Sequence, residues 1–208
     1  MKVQKNTVLS SEADAWFIRN KESILLRTDF SHLDSILNYL KPKDDVLEIG
    51  ASFGYNLNYL LEKKKISGFG LEPSRLAVEF GQEKYPRLKL KVGTIDEADL
   101  FDQKFQSIII GFCLYLVDPE LLPEIIYRID KALCKGGFLH IIDFDSKYLE
   151  EKSYSHHSGI ITRKMDYSSI FLSLPNYFLV EKKSWSHFGN SFHVDKNERC
   201  STVTLFKQ

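Results

Sequence analysis

A chain of 208 residues, 43% apolar and 27% charged, is long enough for one hydrophobic core, short for two, and unlike a disordered or fibrous protein. Its 28 basic and 28 acidic residues cancel to a formal net charge of zero, with no long run of either sign, so binding driven by nucleic-acid phosphates or an anionic membrane surface lacks its electrostatic force. Three irregularly spaced cysteines, Cys113, Cys134 and Cys200, support neither a disulfide framework nor a zinc cluster. The opening residues Met1 to Asn6 lack the apolar run of a signal peptide, and no stretch approaches the ~18 apolar residues of a membrane span, so a cytoplasmic protein with no membrane partner is expected.

In chain order, Ser11 with Asp14 three residues on predicts a capped short helix through Trp16, Phe17 and Lys21. Ser31 precedes Leu33, Ile36, Leu37 and Leu40, whose spacing gives one buried helical face stopped by Pro42. Val46 to Ile49 then reads as a strand, Gly50 to Gly54 as a tight turn and Asn56 to Glu62 as a helix, with Lys63, Lys64 and Lys65 as its solvated C-terminal end. The unit recurs: strand Ser67 to Leu71, helix Ser74 to Tyr85, strand Leu88 to Val92, strand Ile108 to Ile110. A helix follows, opened by Asp118 and Pro119 and ended by Gly136 and Gly137, and then strand Phe138 to Phe144. Strand starts near 46, 67, 88, 107 and 138 have the rhythm of an α/β, doubly wound parallel sheet with helices on both faces. Residues 145–165 show little periodicity. Asp166 can cap a short helix to Leu172, and Tyr177 to His187 with Ser201 to Phe206 predict an antiparallel hairpin.

In such a sheet, ligands bind beyond the carboxyl ends of the strands where the winding reverses. After the first strand stand Glu48, Ile49, Gly50, Ala51, Ser52, Phe53 and Gly54, whose glycines let backbone pass close beneath a ligand at a helix N-terminus. After the second stands Glu72, which can accept hydrogen bonds from both hydroxyls of a ribose. A nicotinamide-binding fingerprint fits poorly, because Ser52 and Tyr55 occupy its second and third glycine positions.

The pattern acidic-x-Gly-x-x-x-Gly with Glu at the end of strand two resembles the class I S-adenosylmethionine-dependent methyltransferases over roughly residues 44–144. The run Gly111 to Leu116, the segment Glu12 to Phe17, and His156, His157 through Met165, Asp166 and Tyr167 are similar to a bacterial methyltransferase group often associated with surface-glycan clusters. The resemblance implies a Rossmann-like seven-stranded sheet ordered 3-2-1-4-5-7-6 with strand 7 antiparallel, and one domain over 1–208: N-terminal helices or lid to 42, cofactor core 43–144, acceptor-side insertion and hairpin 145–208. S-adenosyl-L-methionine is the implied cofactor. Glu48 with the Gly50, Ala51, Ser52 and Gly54 backbone and Asn56 would hold its methionine end, and Glu72 its ribose. Pro73 and Ile95 would flank the adenine, Thr94 or Asp96 would meet its amino group, and Gly111 and Phe112 would line the passage to the acceptor.

Methyl transfer is an in-line displacement that needs alignment more than catalytic side chains, though a hydroxyl acceptor must lose a proton. The candidate bases are Tyr115, Asp143, Asp145, His156 and His157. The last four are also metal-ligand types, but capping of a parallel strand is the commoner role for the carboxylates and no metal is expected. The Asn/Asp-Pro-Pro-Tyr/Phe tetrad of amino methylation is absent after strand four, as is a Pro-Cys nucleophile; Cys113 reads as a small core residue. Trp16, Phe17 and Arg19 are either a lid or a packed helix. The expected reaction is methylation of a small molecule, foremost a hydroxyl of a sugar or related metabolite. A non-catalytic cofactor-binding protein and a nucleotide-binding oxidoreductase are the alternatives.

Overall fold

A computed structural model describes residues 4–189 and 191–208; Met1, Lys2 and Val3, read above for a targeting signal, lie outside the described residues. Helix α1 (Lys5–Thr7) continues through a π-helical turn, Val8–Glu12, into α2 (Ala13–Leu25). Ser11 is therefore inside a helical run and not its cap: its hydroxyl donates back to the Thr7 carbonyl at 3.0 Å, the usual fate of a serine within a helix. A 3-10 turn at Ser31–Leu33 leads into the short α3 (Asp34–Leu37).

The alternation then runs β1 (Asp45–Ile49), α4 (Tyr55–Lys64), β2 (Ser67–Glu72), α5 (Arg75–Lys84), β3 (Lys89–Val92), β4 (Phe105–Gly111), α6 (Leu122–Ala132) and β5 (Leu133–Phe144). A two-stranded sheet of β6 (Glu150–Ser153) and β7 (Ile161–Lys164), then α7 (Ser168–Leu172), β8 (Tyr177–Ser186) and β9 (Arg199–Lys207), complete the chain. The main sheet is ordered β3-β2-β1-β4-β5-β9-β8, with the first five strands parallel and β9 inserted antiparallel between β5 and β8. This is the expected methyltransferase order, with β8 and β9 as its sixth and seventh strands.

Strand residues alternate between two apolar layers because successive side chains point to opposite faces. Leu47, Ile49, Ile108, Ile110, Leu139 and Ile141 face α6 and α7, whereas Val46, Ile109 and Ile142 face α3, α4 and α5. Parallel strands buried on both sides must be apolar at both parities, so the one buried acid within β1, Glu48, is conspicuous.

Two further local expectations change. Helix α6 stops at Ala132, and Gly136 and Gly137 serve a bulge instead of ending it. Leu133 already pairs with Phe105, while Phe138 pairs with Ser107, so the residues between must loop out; Gly136 does so at φ +79. The β6–β7 hairpin falls in the segment that gave no periodic signal, because Glu150 to Ser153 is polar throughout and mostly exposed. No helix among the described residues is long and apolar enough to cross a membrane.

Winding reverses between β1 and β4: from β1 the chain proceeds outward through β2 to β3, then crosses back to place β4 on the other side of β1. The carboxyl ends of β1, β2 and β4 thus surround one crevice, which is where the argument from topology places a ligand.

Candidate cofactor and acceptor site

A cavity of about 900 Å3 lies over that crevice, at the upper end of the range for small-molecule sites. Its floor is the turn after β1. Gly50 (φ +76) and Gly54 (φ +82) take left-handed conformations, and a Cβ on Gly54 would stand 2.7 Å from Leu88 Cδ1. Only glycine suits either place. Ser52 also has positive φ (+49), a costly conformation for a non-glycine residue, and it brings the Ser52 N–H within 2.8 Å of Glu72 Oε2.

Glu72 ends β2 and is 8% exposed. Its second oxygen accepts from the Ser74 N–H at 2.9 Å, so two backbone amides fix the carboxylate at the cavity wall, each oxygen keeping a further lone pair. Burial raises its pKa to about 7, against the pull of those two amides. Glu48, 1% exposed, accepts at Oε1 from Asn56 Nδ2 at 2.8 Å, and burial pushes its pKa to about 8 despite that bond. Glu48 Oε2, Asn56 Oδ1 and Ser52 Oγ are buried with no partner among the described residues. Three orphaned polar atoms around one turn fit a polar ligand group better than an apolar core.

At the far end, Pro73, Thr94, Ile95, Leu121 and Ile125 form an apolar slot. Asp96 lines it too, but its carboxylate is engaged: burial would raise its pKa, yet bonds from Lys5 Nζ (2.5 Å) and Thr94 keep it below the ordinary value. Lys5 thereby ties α1 to the loop after β3.

Gly111 ends β4 and Phe112 follows it in the cavity lining, where Phe112 takes positive φ (+47) and its N–H donates to the Ile142 carbonyl at 2.8 Å. Beyond them, Phe112 meets Phe144 and Trp185 at ring-centroid distances of 5.8 Å and His187 at 5.6 Å, while Tyr115 meets Phe144 at 5.2 Å. One stripe of the N-terminal helix, Glu12, Trp16, Asn20, Ser23 and Arg27, closes the cavity from above. On the opposite side of that helix Phe17 packs on Phe53 and Phe80. The aromatic pair thus divides the two roles the sequence offered: Trp16 faces the cavity and Phe17 the core. Arg19 pairs with the buried Glu12.

The residues named from sequence distribute unevenly. Gly50, Ser52, Asn56, Glu72, Pro73, Thr94, Ile95, Gly111, Phe112, Tyr115 and His156 line the cavity. Glu48, Ala51 and Gly54 stand just behind its floor. His157 lies outside, its Nδ1 accepting from the Gly159 N–H at 3.1 Å. Asp145 also lies outside, held by Lys182 (2.8 Å), Ser184 (3.0 Å) and Arg199. Asp143 is buried beside the turn of Leu114 and Tyr115, and burial raises its pKa to about 7. Burial drives the Tyr115 hydroxyl pKa far upward, as it does for the Cys113 thiol. No group of three or more metal-ligating side chains gathers among the described residues. Sequence reasoning missed Glu12, Tyr154, Lys152, Lys164, Trp185 and His187; only the first carried a signal, the four-residue spacing Glu12, Trp16, Asn20.

The sheet order is that of the methyltransferase fold. In sequence, residues 46–137 match the family model described as a methyltransferase domain. No curated protein matches the chain in sequence. Among solved structures, the Burkholderia thailandensis 1,6-didemethyltoxoflavin-N1-methyltransferase, with 1,6-didemethyltoxoflavin and S-adenosylhomocysteine bound, is similar at TM-score 0.70 and 16% identity over 100% of this chain and 91% of that one. The glycopeptide N-methyltransferase MtfA complexed with S-adenosyl-L-methionine gives 0.64 and 13%, over 88% and 100%. An S-adenosylmethionine-dependent methyltransferase from Clostridium acetobutylicum gives 0.64 and 13%, over 93% and 98%. At such identities the likeness is one of fold.

Proposed function

We propose that this protein transfers a methyl group from S-adenosyl-L-methionine to a small-molecule acceptor, foremost a hydroxyl of a sugar or related metabolite. The observation that carries the cofactor is Glu72, fixed by two backbone amides at the end of β2 with lone pairs free toward the cavity. Ribose hydroxyls are the donors that geometry suits. The Gly50–Gly54 turn with Ser52, Asn56 and Glu48 behind it would receive the amino-acid end, and Pro73 with Ile95 the adenine. Residues 1–42 serve as a lid and 145–208 as the acceptor side. Structural relatives that carry S-adenosylmethionine or S-adenosylhomocysteine support the reading.

When bound, the cofactor supplies an electrophilic methyl on a positively charged sulfur with a neutral leaving group. Methylation of a hydroxyl would leave one proton for the protein to receive. The chain's own task is to align the reacting atoms, exclude water and receive that proton. On this reading Phe112 and Gly111 set the passage, Trp16 and its helix close it, and His156, on the cavity wall beside Tyr154, takes the proton. Calorimetry with S-adenosylhomocysteine tests the cofactor: Glu72→Ala weakens binding by about tenfold or more, the cost of a lost pair of charge-assisted hydrogen bonds. An unchanged dissociation constant refutes the ribose assignment.

A further inference from the structure

Two ammonium groups converge on the acceptor half of the cavity, neither of them within ion-pair distance of a carboxylate among the described residues. Lys164 of β7 donates from Nζ to the Asn197 carbonyl at 2.7 Å, and Lys152 of β6 donates to the Asn197 side-chain oxygen. Both line the cavity, and neither forms an ion pair among the described residues. Glu150, directly opposite Lys164 in the β6–β7 register, is taken by Lys196. Lys164 Nζ lies 3.5 Å from the centre of the Phe144 ring, part of the aromatic wall with Phe112, Trp185 and His187. Burial lowers the Lys164 pKa, as does the charge of Lys152, while Glu198, Cys200 and Asp143 act in the opposite sense. A desolvated cation held on a ring, facing a space large enough for a ligand, is a site that an anion completes.

Charge decides which anion. Glu198 lines the same region, so two lysines and one glutamate leave about one net positive charge, and burial lowers the pKa of His187, which disfavours its charged form. A singly charged group matches it. We propose that the methyl acceptor carries a carboxylate held by Lys164 with Lys152 beside it, while the apolar face of its body lies on the wall of Phe112, Phe144 and Trp185. This deepens the functional reading above and rests on it. A carboxylate could belong to a sugar acid or to an aromatic acid, and the two share this recognition: a pyranose presents C–H groups to a ring, an aromatic acid its own ring face.

The test uses the full-length protein saturated with S-adenosylhomocysteine and two matched probe pairs, glucuronate against glucuronamide and 4-hydroxybenzoate against 4-hydroxybenzamide, with binding followed by Trp fluorescence and calorimetry. At least one carboxylate binds about tenfold tighter than its amide, the discrimination expected of one charge-assisted contact. The pair that shows the preference identifies the body. Lys164→Met removes the preference, Lys164→Arg keeps it, and both variants bind S-adenosylhomocysteine as the parent does. Equal or absent binding of acid and amide in both pairs overturns the proposal, as does a preference that survives Lys164→Met. Failure of the parent to bind S-adenosylhomocysteine is a different result, and overturns the methyltransferase reading itself.

Discussion

Glu48 and Glu72 stand at the ends of adjacent strands in surroundings that disfavour their charge, each with its pKa raised by burial, to about 8 and about 7. A carboxyl whose pKa is higher in the folded state holds its proton there while the unfolded chain has released it. Between the ordinary value of 4.5 and those raised values the native state binds more protons, so stability falls as pH rises. The ligand-free protein should therefore lose about 2 kcal/mol or more between pH 5 and pH 8, a conservative fraction of the full shift. Urea unfolding at several pH values measures the slope, and Glu48→Gln flattens it; an equally steep profile in that variant removes Glu48 as its cause. Glu72 makes a second prediction with the opposite consequence for binding. Ribose hydroxyls donate to the ionised form, so cofactor binding lowers the Glu72 pKa and expels a proton near pH 7. Affinity for S-adenosylhomocysteine should rise from pH 6 to pH 8, with proton release seen as a dependence of calorimetric heat on the buffer's ionisation enthalpy. A pH-independent affinity with no proton release would detach Glu72 from the ribose.

The N-terminal helical run joins three parts of the site. Lys5 bonds to Asp96 after β3, and Asp14 Oδ1 accepts from the Ser74 hydroxyl at 2.6 Å and from the Leu76 N–H at 3.3 Å, capping α5 from a neighbouring element. The π-helical turn at Val8–Glu12 widens the helix just before Trp16, and Glu12, Trp16 and Asn20 stand along one line over the cavity. Packing and covering are thus carried by adjacent residues whose side chains diverge. Phe17→Ala should destabilise the fold by about 3 kcal/mol, since it empties a site shared with Phe53 and Phe80. Trp16→Ala should cost much less in unfolding experiments yet weaken S-adenosylhomocysteine binding several-fold. Equal effects of the two on stability, with no effect of Trp16→Ala on binding, would make the helix a structural element only.

At the scale of the whole molecule, the parallel half of the sheet was legible in the sequence because strands buried on both faces leave apolar runs at a regular interval. The turn of Gly50 to Gly54 and the acid at Glu72 were legible because backbone conformation and strand ends restrict which residues can stand there. The proposed acceptor side, beyond Phe112, was not. Its remaining wall is assembled from Phe144, Lys164 and Trp185, which belong to different elements and share no spacing, and its two lysines sit on strands too polar to betray themselves. On the proposed reading, one ligand spanning the crevice unites these distant parts, which yields a prediction for the whole fold. Anything that binds the native state alone stabilises it by mass action, by about 2.7 kcal/mol at a hundredfold excess over its dissociation constant. For a domain of this size that corresponds to a rise of roughly 5–10 °C in the thermal midpoint. S-adenosylhomocysteine should produce such a rise and NADH none, and hydrogen exchange should slow together in α2, in the turn after β1 and at Ser74, because one molecule bridges all three. A midpoint raised by NADH and not by S-adenosylhomocysteine would assign the crevice to a nicotinamide cofactor despite the serine at its second glycine position.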